Sequence, residues 1–210
     1  MNELNVLVER YPELSDCIQD IEQTIDVIVD SYANGGKLLL CGNGGSFADC
    51  EHIVGELMKG FLKKRPISAE QREDMKSKCA LLDEHTLDKL QCGLPAISLP
   101  SLSSLNSAFA NDVDPTLVYA QSVFALGKEN DVLVAISTSG NAQNVSLAAK
   151  VAKSIGMKVV AMTGLGGGNL AKLSDVCIKA PQSETYKVQE LHLPIYHCIC
   201  AAVEKHFFSI

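Results

Sequence analysis

Lys37-Leu38-Leu39-Leu40-Cys41, running into Gly42-Asn43-Gly44-Gly45-Ser46, decides the fold. A short apolar run closed by glycines reads as a buried strand entering a tight turn, and the helical pattern after Ser46 reads as the return. Outward from there the unit recurs. Residues 96–99 form a second run. Residues 131–137 form a third, closed by Ser137-Thr138-Ser139-Gly140-Asn141. Residues 157–162 lead into Thr163-Gly164, 176–179 make a short fifth run, and a helical pattern covers about 185–208. Apolar strands alternating with helices belong to a parallel sheet covered on both faces. Right-handed crossovers make this an α/β, doubly wound, flavodoxin-like sheet of five strands. Ligands of such sheets lie outside the carboxyl ends of the strands, where these glycine and hydroxyl clusters fall.

Two segments lie outside that rhythm. Residues 1–34 read as a mostly helical arm, with Leu14, Cys17, Ile18, Ile21, Ile25 and Ile28 three to four apart and Asn34-Gly35-Gly36 as the stop. Residues 63–92 read as an inserted, charged excursion with a helical stretch over 69–90, either a flap over the site or an inert surface feature. At 210 residues the chain is expected to be a single domain carrying these two additions.

Composition removes several classes of function. Eighteen Lys and Arg against 25 Asp and Glu give a net charge of −7, so no basic footprint for nucleic acid is expected. No apolar run reaches the roughly 18 residues of a membrane span, and Met1-Asn2-Glu3-Leu4-Asn5 has no signal-peptide character. The expected setting is cytoplasmic. The eight cysteines form no C-x-x-C pair, and several sit in apolar runs, which fits small buried thiols better than disulfides or a cysteine zinc site.

The strand-end loops point to an anion. Glycines at 42, 44 and 45 allow backbone N–H groups to approach a ligand at a helix N-terminus, although the same residues also suit a plain turn. Neither G-x-G-x-x-G nor a G-x-x-x-x-G-K-[ST] loop occurs, so no nucleotide cofactor is expected. Capping explains one of the hydroxyls of Ser137, Thr138 and Ser139, and the other two favour phosphate oxygens. His52 and Glu56, four apart, share a helix face, and Gln189, Glu190, His192 and His197 crowd the last helix. Gln189 and His197 are about 80° apart around that axis and can share a broad face. Pro194 between them removes a helical hydrogen bond. Each of these alone reads as a satisfied core or surface group. Together they supply an acid, a base and potential metal ligands.

The ordered motifs C-G-N-G-G-S, A-D-x-x-H-x-x-x-E-L, I-S-T-S-G-N, T-G-x-G-G-G-x-L and V-Q-E-x-H-x-x-x-x-H resemble the SIS (sugar isomerase) fold, and within it the phosphoheptose isomerases. The resemblance covers Leu14 to Glu204 apart from the 63–92 excursion. It implies a homotetramer acting on a sugar phosphate, sedoheptulose 7-phosphate to D-glycero-D-manno-heptose 7-phosphate, through an enediol(ate). It places substrate and phosphate contacts on Asn43, Gly44, Gly45, Ser46, Ser137, Thr138, Ser139, Asn141 and Gln189. Glu56 and His197 match the catalytic pair, and zinc, reported for some members, would match His52, Glu56, Gln189 and His197.

Three positions depart from the family pattern. Ala142 replaces a serine, Leu102 stands where an aspartate is expected, and Lys59-Gly60 replaces an arginine. All three alter groups that grip or orient substrate while leaving the acid–base pair. The competing reading is a non-catalytic SIS sensor or adaptor. Retention of His52, Glu56, Gln189 and His197 together favours the enzyme, because a scaffold has no use for an acid and a base.

Overall fold

The computed structural model describes residues 3–208, so residues 1 and 2 of the arm lie outside the described residues. Five strands form one parallel sheet: β1 (Leu38–Cys41), β2 (Ala96–Ser98), β3 (Val132–Ile136), β4 (Lys158–Gly164) and β5 (Val176–Ala180). Their spatial order is β2-β1-β3-β4-β5. Leu39 pairs with Ile97 on one side and Leu133 on the other. The direction of winding reverses between β1 and β3, which makes the gap between them the topological switch point.

Alternation of side chains along each strand divides the core in two. Leu38, Leu40, Val134, Ile136, Val160 and Met162 face one layer, built from α1 (Glu3–Arg10), α2 (Ile18–Ala33), α3 (Gly45–Met58) and α10 (Thr185–Phe207). Leu39, Cys41, Leu133, Ala135, Val159 and Ala161 face the other layer, with α7 (Val118–Leu126), α8 (Gln143–Ser154) and α9 (Leu170–Leu173).

The expected strand positions are met within one or two residues. β4 continues to Gly164, past the expected end at Met162, because Thr163 and Gly164 pair with Lys179 and Ala180 of β5, and the buried Thr163 hydroxyl is satisfied by the backbone carbonyls of Gly164 and Ile178. The helical stretch expected over 69–90 is two helices, α4 (Ala69–Lys78) and α5 (Glu84–Lys89). Each has its own start signal. Ser68 and Gln71 make a capping box for α4, and Asp83 accepts from the Thr86 N–H to open α5. A further helix, α6 (Ser103–Asp112), follows β2. Despite Pro194, α10 runs unbroken over 23 residues, and the Glu190 carbonyl that loses its donor belongs to an exposed residue.

Candidate active site

The loop after β1, the loop after β3 and the start of α10 surround an open cavity of about 360 Å³ at the switch point. Asn43, Gly44, Gly45 and Ser46 line it from one side, Ser137, Thr138 and Ser139 from another, and Thr185 and Gln189 from the third. Three helices begin at this cavity. α3 follows Gly44, α8 follows Ala142 and α10 follows Glu184, and none of the three has a side-chain cap. Each N-terminus carries the positive end of a helix dipole, although at α3 the Ser46 and Phe47 N–H groups already donate to the Asn43 and Gly44 carbonyls. Their convergence answers the net charge of −7. Among the described residues no charged side chain lines the cavity, yet helix ends, hydroxyls and amides make it anion-seeking.

Close packing shapes the loops. Gly44 has φ +56°, a left-handed conformation that favours glycine. A Cβ on Gly45 would lie 2.5 Å from Gln189 Nε2, so the missing side chain makes room for the Gln189 amide. Asn43 exchanges amide hydrogen bonds with Asn144 at 2.9 and 3.0 Å, and the Tyr119 hydroxyl lies 3.1 Å from Asn43 Oδ1. Asn141 is occupied differently. Its Nδ2 donates to the Ser139 carbonyl and its Oδ1 accepts from the Asn169 N–H, so the side chain braces the loop and is absent from the cavity lining.

A second group of side chains stands farther along α3. His52 Nε2 is 3.2 Å from Glu56 Oε1 and 3.4 Å from His197 Nε2. His52 Nδ1 lies 2.9 Å from the Tyr196 hydroxyl. Burial pushes Asp49 up to about 6 against the opposing pull of Tyr196 and His52. Lys59 donates to Glu56 Oε2 at 3.0 Å, so a flexible ammonium now faces the carboxylate. Burial, then the charge of His52, lower the His197 pKa below the ordinary histidine value, and Glu56 opposes them. Phe61 packs its ring 5.5 Å from the His197 ring.

The expected zinc set is divided between the two places. His52, Glu56 and His197 meet, whereas Gln189 lies against Gly45 at the loops. Among the described residues no group of three or more His, Cys, Asp or Glu side chains is placed to hold a metal ion.

Of the departures, Ala142 puts a methyl into the cavity lining, and Leu102 packs half-buried against the second core. Sequence reasoning passed over Asn144, Tyr119, Tyr196 and the buried pair of Arg65 and Glu204. Only Glu204 carried a signal, as an acid next to Ala201-Ala202-Val203 in an apolar helix.

A sequence model of the SIS domain matches residues 3–78 and 90–164, leaving out part of the excursion. The chain is similar to a phosphoheptose isomerase of Thiobacillus denitrificans, with 40% identity over 193 residues, covering 90% of this chain and 85% of that protein. One from Aneurinibacillus thermoaerophilus is 37% identical, covering 90% and 82% respectively. Among solved structures, the phosphoheptose isomerase of Neisseria gonorrhoeae matches with a TM-score of 0.73 and 30% identity, covering 96% of this chain and 91% of that one. That of Francisella tularensis matches with a TM-score of 0.72 and 28% identity, covering 97% and 92%.

Proposed function

This chain belongs to the SIS domain family and, within it, to the phosphoheptose isomerases, and from that premise we propose which heptose it converts and which residues do so. The reaction is the interconversion of sedoheptulose 7-phosphate and D-glycero-D-manno-heptose 7-phosphate. The observation that carries this reading is the placement of an uncharged anion cavity at the start of α3 and an acid–base cluster along the same helix. From Ser46, His52 is about 9 Å and Glu56 about 15 Å away along the axis at 1.5 Å per residue. An extended seven-carbon sugar phosphate suits that span better than a triose phosphate.

In this reading the phosphate binds among the loop N–H groups, Ser46, Ser137, Thr138, Ser139 and the three helix ends. Gln189 and Asn43 orient the sugar where the chain leaves the phosphate. Glu56, with 14% of its side-chain surface exposed, takes the proton from C1 of the ketose and returns it to C2. As the enediolate forms, the O1 proton must pass to O2, and His197, held neutral by its lowered pKa, carries it. His52 lies between Glu56 and His197 and can hydrogen-bond either one. Each of these steps uses the chain's own groups.

The enzyme is further proposed to work as a homo-oligomer. Leu165, after the end of β4, and Tyr186, next to the cavity residue Thr185, are about 60% exposed and suit burial against a second copy.

NMR of sedoheptulose 7-phosphate in D2O tests the chemistry. Deuterium entering beside the carbonyl with wild type, and lost with Glu56→Gln, is the expected result. Binding without exchange would overturn the isomerase assignment for this substrate.

A further inference from the structure

Arg65 lies at the end of the run Phe61-Leu62-Lys63-Lys64-Arg65, where solvent exposure is the natural expectation, yet its side chain is fully buried. It pairs with Glu204, whose side chain is 1% exposed, through Nε to Oε1 at 2.8 Å. Burying two charges costs several kcal/mol per ion, and an excellent set of hydrogen bonds is needed to offset it. That set is present. Glu204 also accepts from the N–H groups of Phe61, Leu62 and Lys63 at 2.8, 2.8 and 3.1 Å. Arg65 donates Nη1 to the Leu57 carbonyl at 2.7 Å and Nη2 to the Glu56 carbonyl at 3.2 Å, and lies 4.6 Å over the Phe208 ring.

The partners reached by this pair are specific. The Glu56 and Leu57 carbonyls are among the last of α3, which have no partner within the helix. Arg65 therefore caps the helix end that carries the proposed base. Glu204 lies seven residues beyond His197, within about 20° of it around the axis of α10. Its carboxylate also fixes the backbone of Phe61, whose ring packs on His197.

We propose that Arg65 and Glu204 are positioning residues for the isomerisation, one buried ion pair that sets the helix bearing Glu56 against the helix bearing His197. The inference rests on the assignment of proton transfers to Glu56 and His197. Neither Arg65 nor Glu204 touches substrate. Their effect passes through the end of α3 and through Phe61. A lysine at 65 keeps the charge but cannot reach Glu204 and both carbonyls together.

The test compares wild type with Arg65→Lys and Glu204→Gln, and uses Arg72→Lys, an ion pair in the excursion, as control. Two readouts are taken: steady-state kinetics with sedoheptulose 7-phosphate, and the imidazole NMR signals of His52, His197 and His192. The expected result is a kcat lowered at least about tenfold with KM within about twofold, since misplacing reacting groups costs rate more than binding. The His52 and His197 signals shift, those of buried His192 stay, and Arg72→Lys changes nothing. Unchanged kcat and unchanged His197 signals in a folded variant would overturn the proposal. So would parallel losses in kcat, KM and the His192 signals, which mean general loosening. Should neither variant fold, Phe61→Leu probes the same route with both charges paired: shifted His197 signals with a lowered kcat support it, and unshifted signals overturn it. Wild type that fails to convert the sugar would count against the catalytic assignment, while the imidazole signals still decide the positioning role.

Discussion

Asn43 and Asn144 exchange two amide hydrogen bonds, at 2.9 and 3.0 Å, across the switch point between β1 and β3. One residue belongs to the loop after β1 and the other to the first turn of α8. The pair holds the two halves of the anion cavity at a set separation. Asn144→Ala leaves the Asn43 side chain held by the Tyr119 hydroxyl alone and is expected to raise KM for the heptose phosphate about fivefold to tenfold, the value of one or two net hydrogen bonds. kcat should stay near wild type. Steady-state kinetics decide it, and a fall in kcat with constant KM would contradict this role for the pair.

Gly45→Ala is expected to weaken phosphate-ester binding roughly tenfold, the usual cost of overpacking a tight contact. The new Cβ would stand 2.5–2.8 Å from the Gln189 amide atoms and push them out of place. Adding Gln189→Ala removes the clash and should recover part of the loss. Titration calorimetry on the two variants measures it. A double variant no better than Gly45→Ala would place the fault in the loop backbone instead.

Activity should fail on the acid side at a pH below the ordinary histidine range. Burial and the neighbouring His52 hold the His197 pKa down, so the neutral imidazole persists as pH falls. His52→Gln removes the repulsion and should move the acid limb of kcat/KM to higher pH. A limb that stays in place would remove His197 from the profile.

Stability has its own pH dependence, at His192. This ring is fully buried, 3.2 Å from the Thr163 carbonyl, and burial lowers its pKa from 6.5 to about 4. The folded chain therefore binds fewer protons than the unfolded chain between those values. Stability contributed by the neutral ring is complete above pH 6.5 and is lost as pH falls toward about 4. The loss is on the order of 3 kcal/mol. Urea unfolding at several pH values should show this slope, and His192→Asn should flatten it. An unchanged slope in that variant would assign the dependence to other groups.

Much of this molecule could be read along the chain. Leu38-Leu39-Leu40, the run at 132–136 and the run at 159–162 are apolar on both faces because helices cover both, and these short continuous runs announce the sheet. The two loops that line the cavity are legible as glycines and hydroxyls, since turns and phosphate sites use those residue types for local reasons. The break at Cys79–Asp83 was missed because two caps, at Ser68 and Asp83, lie within one continuous helical composition.

Sequence alone determined the strands, the end of the sheet where the cavity lies, and the two helices that bear His52, Glu56, Gln189 and His197. Helical pitch sets angles around one axis, but it says nothing about what lies opposite. Only the packing of α10 beside α3 placed Gln189 at Gly45 and His197 at His52, eight residues apart on one helix yet serving two different places. The same packing buried Arg65 against Glu204, 139 residues away, in a run of charges that reads as solvent-facing. Propensity and periodicity are local properties of the chain. Distances between remote segments are set by how whole elements pack, and the active site is made of those distances.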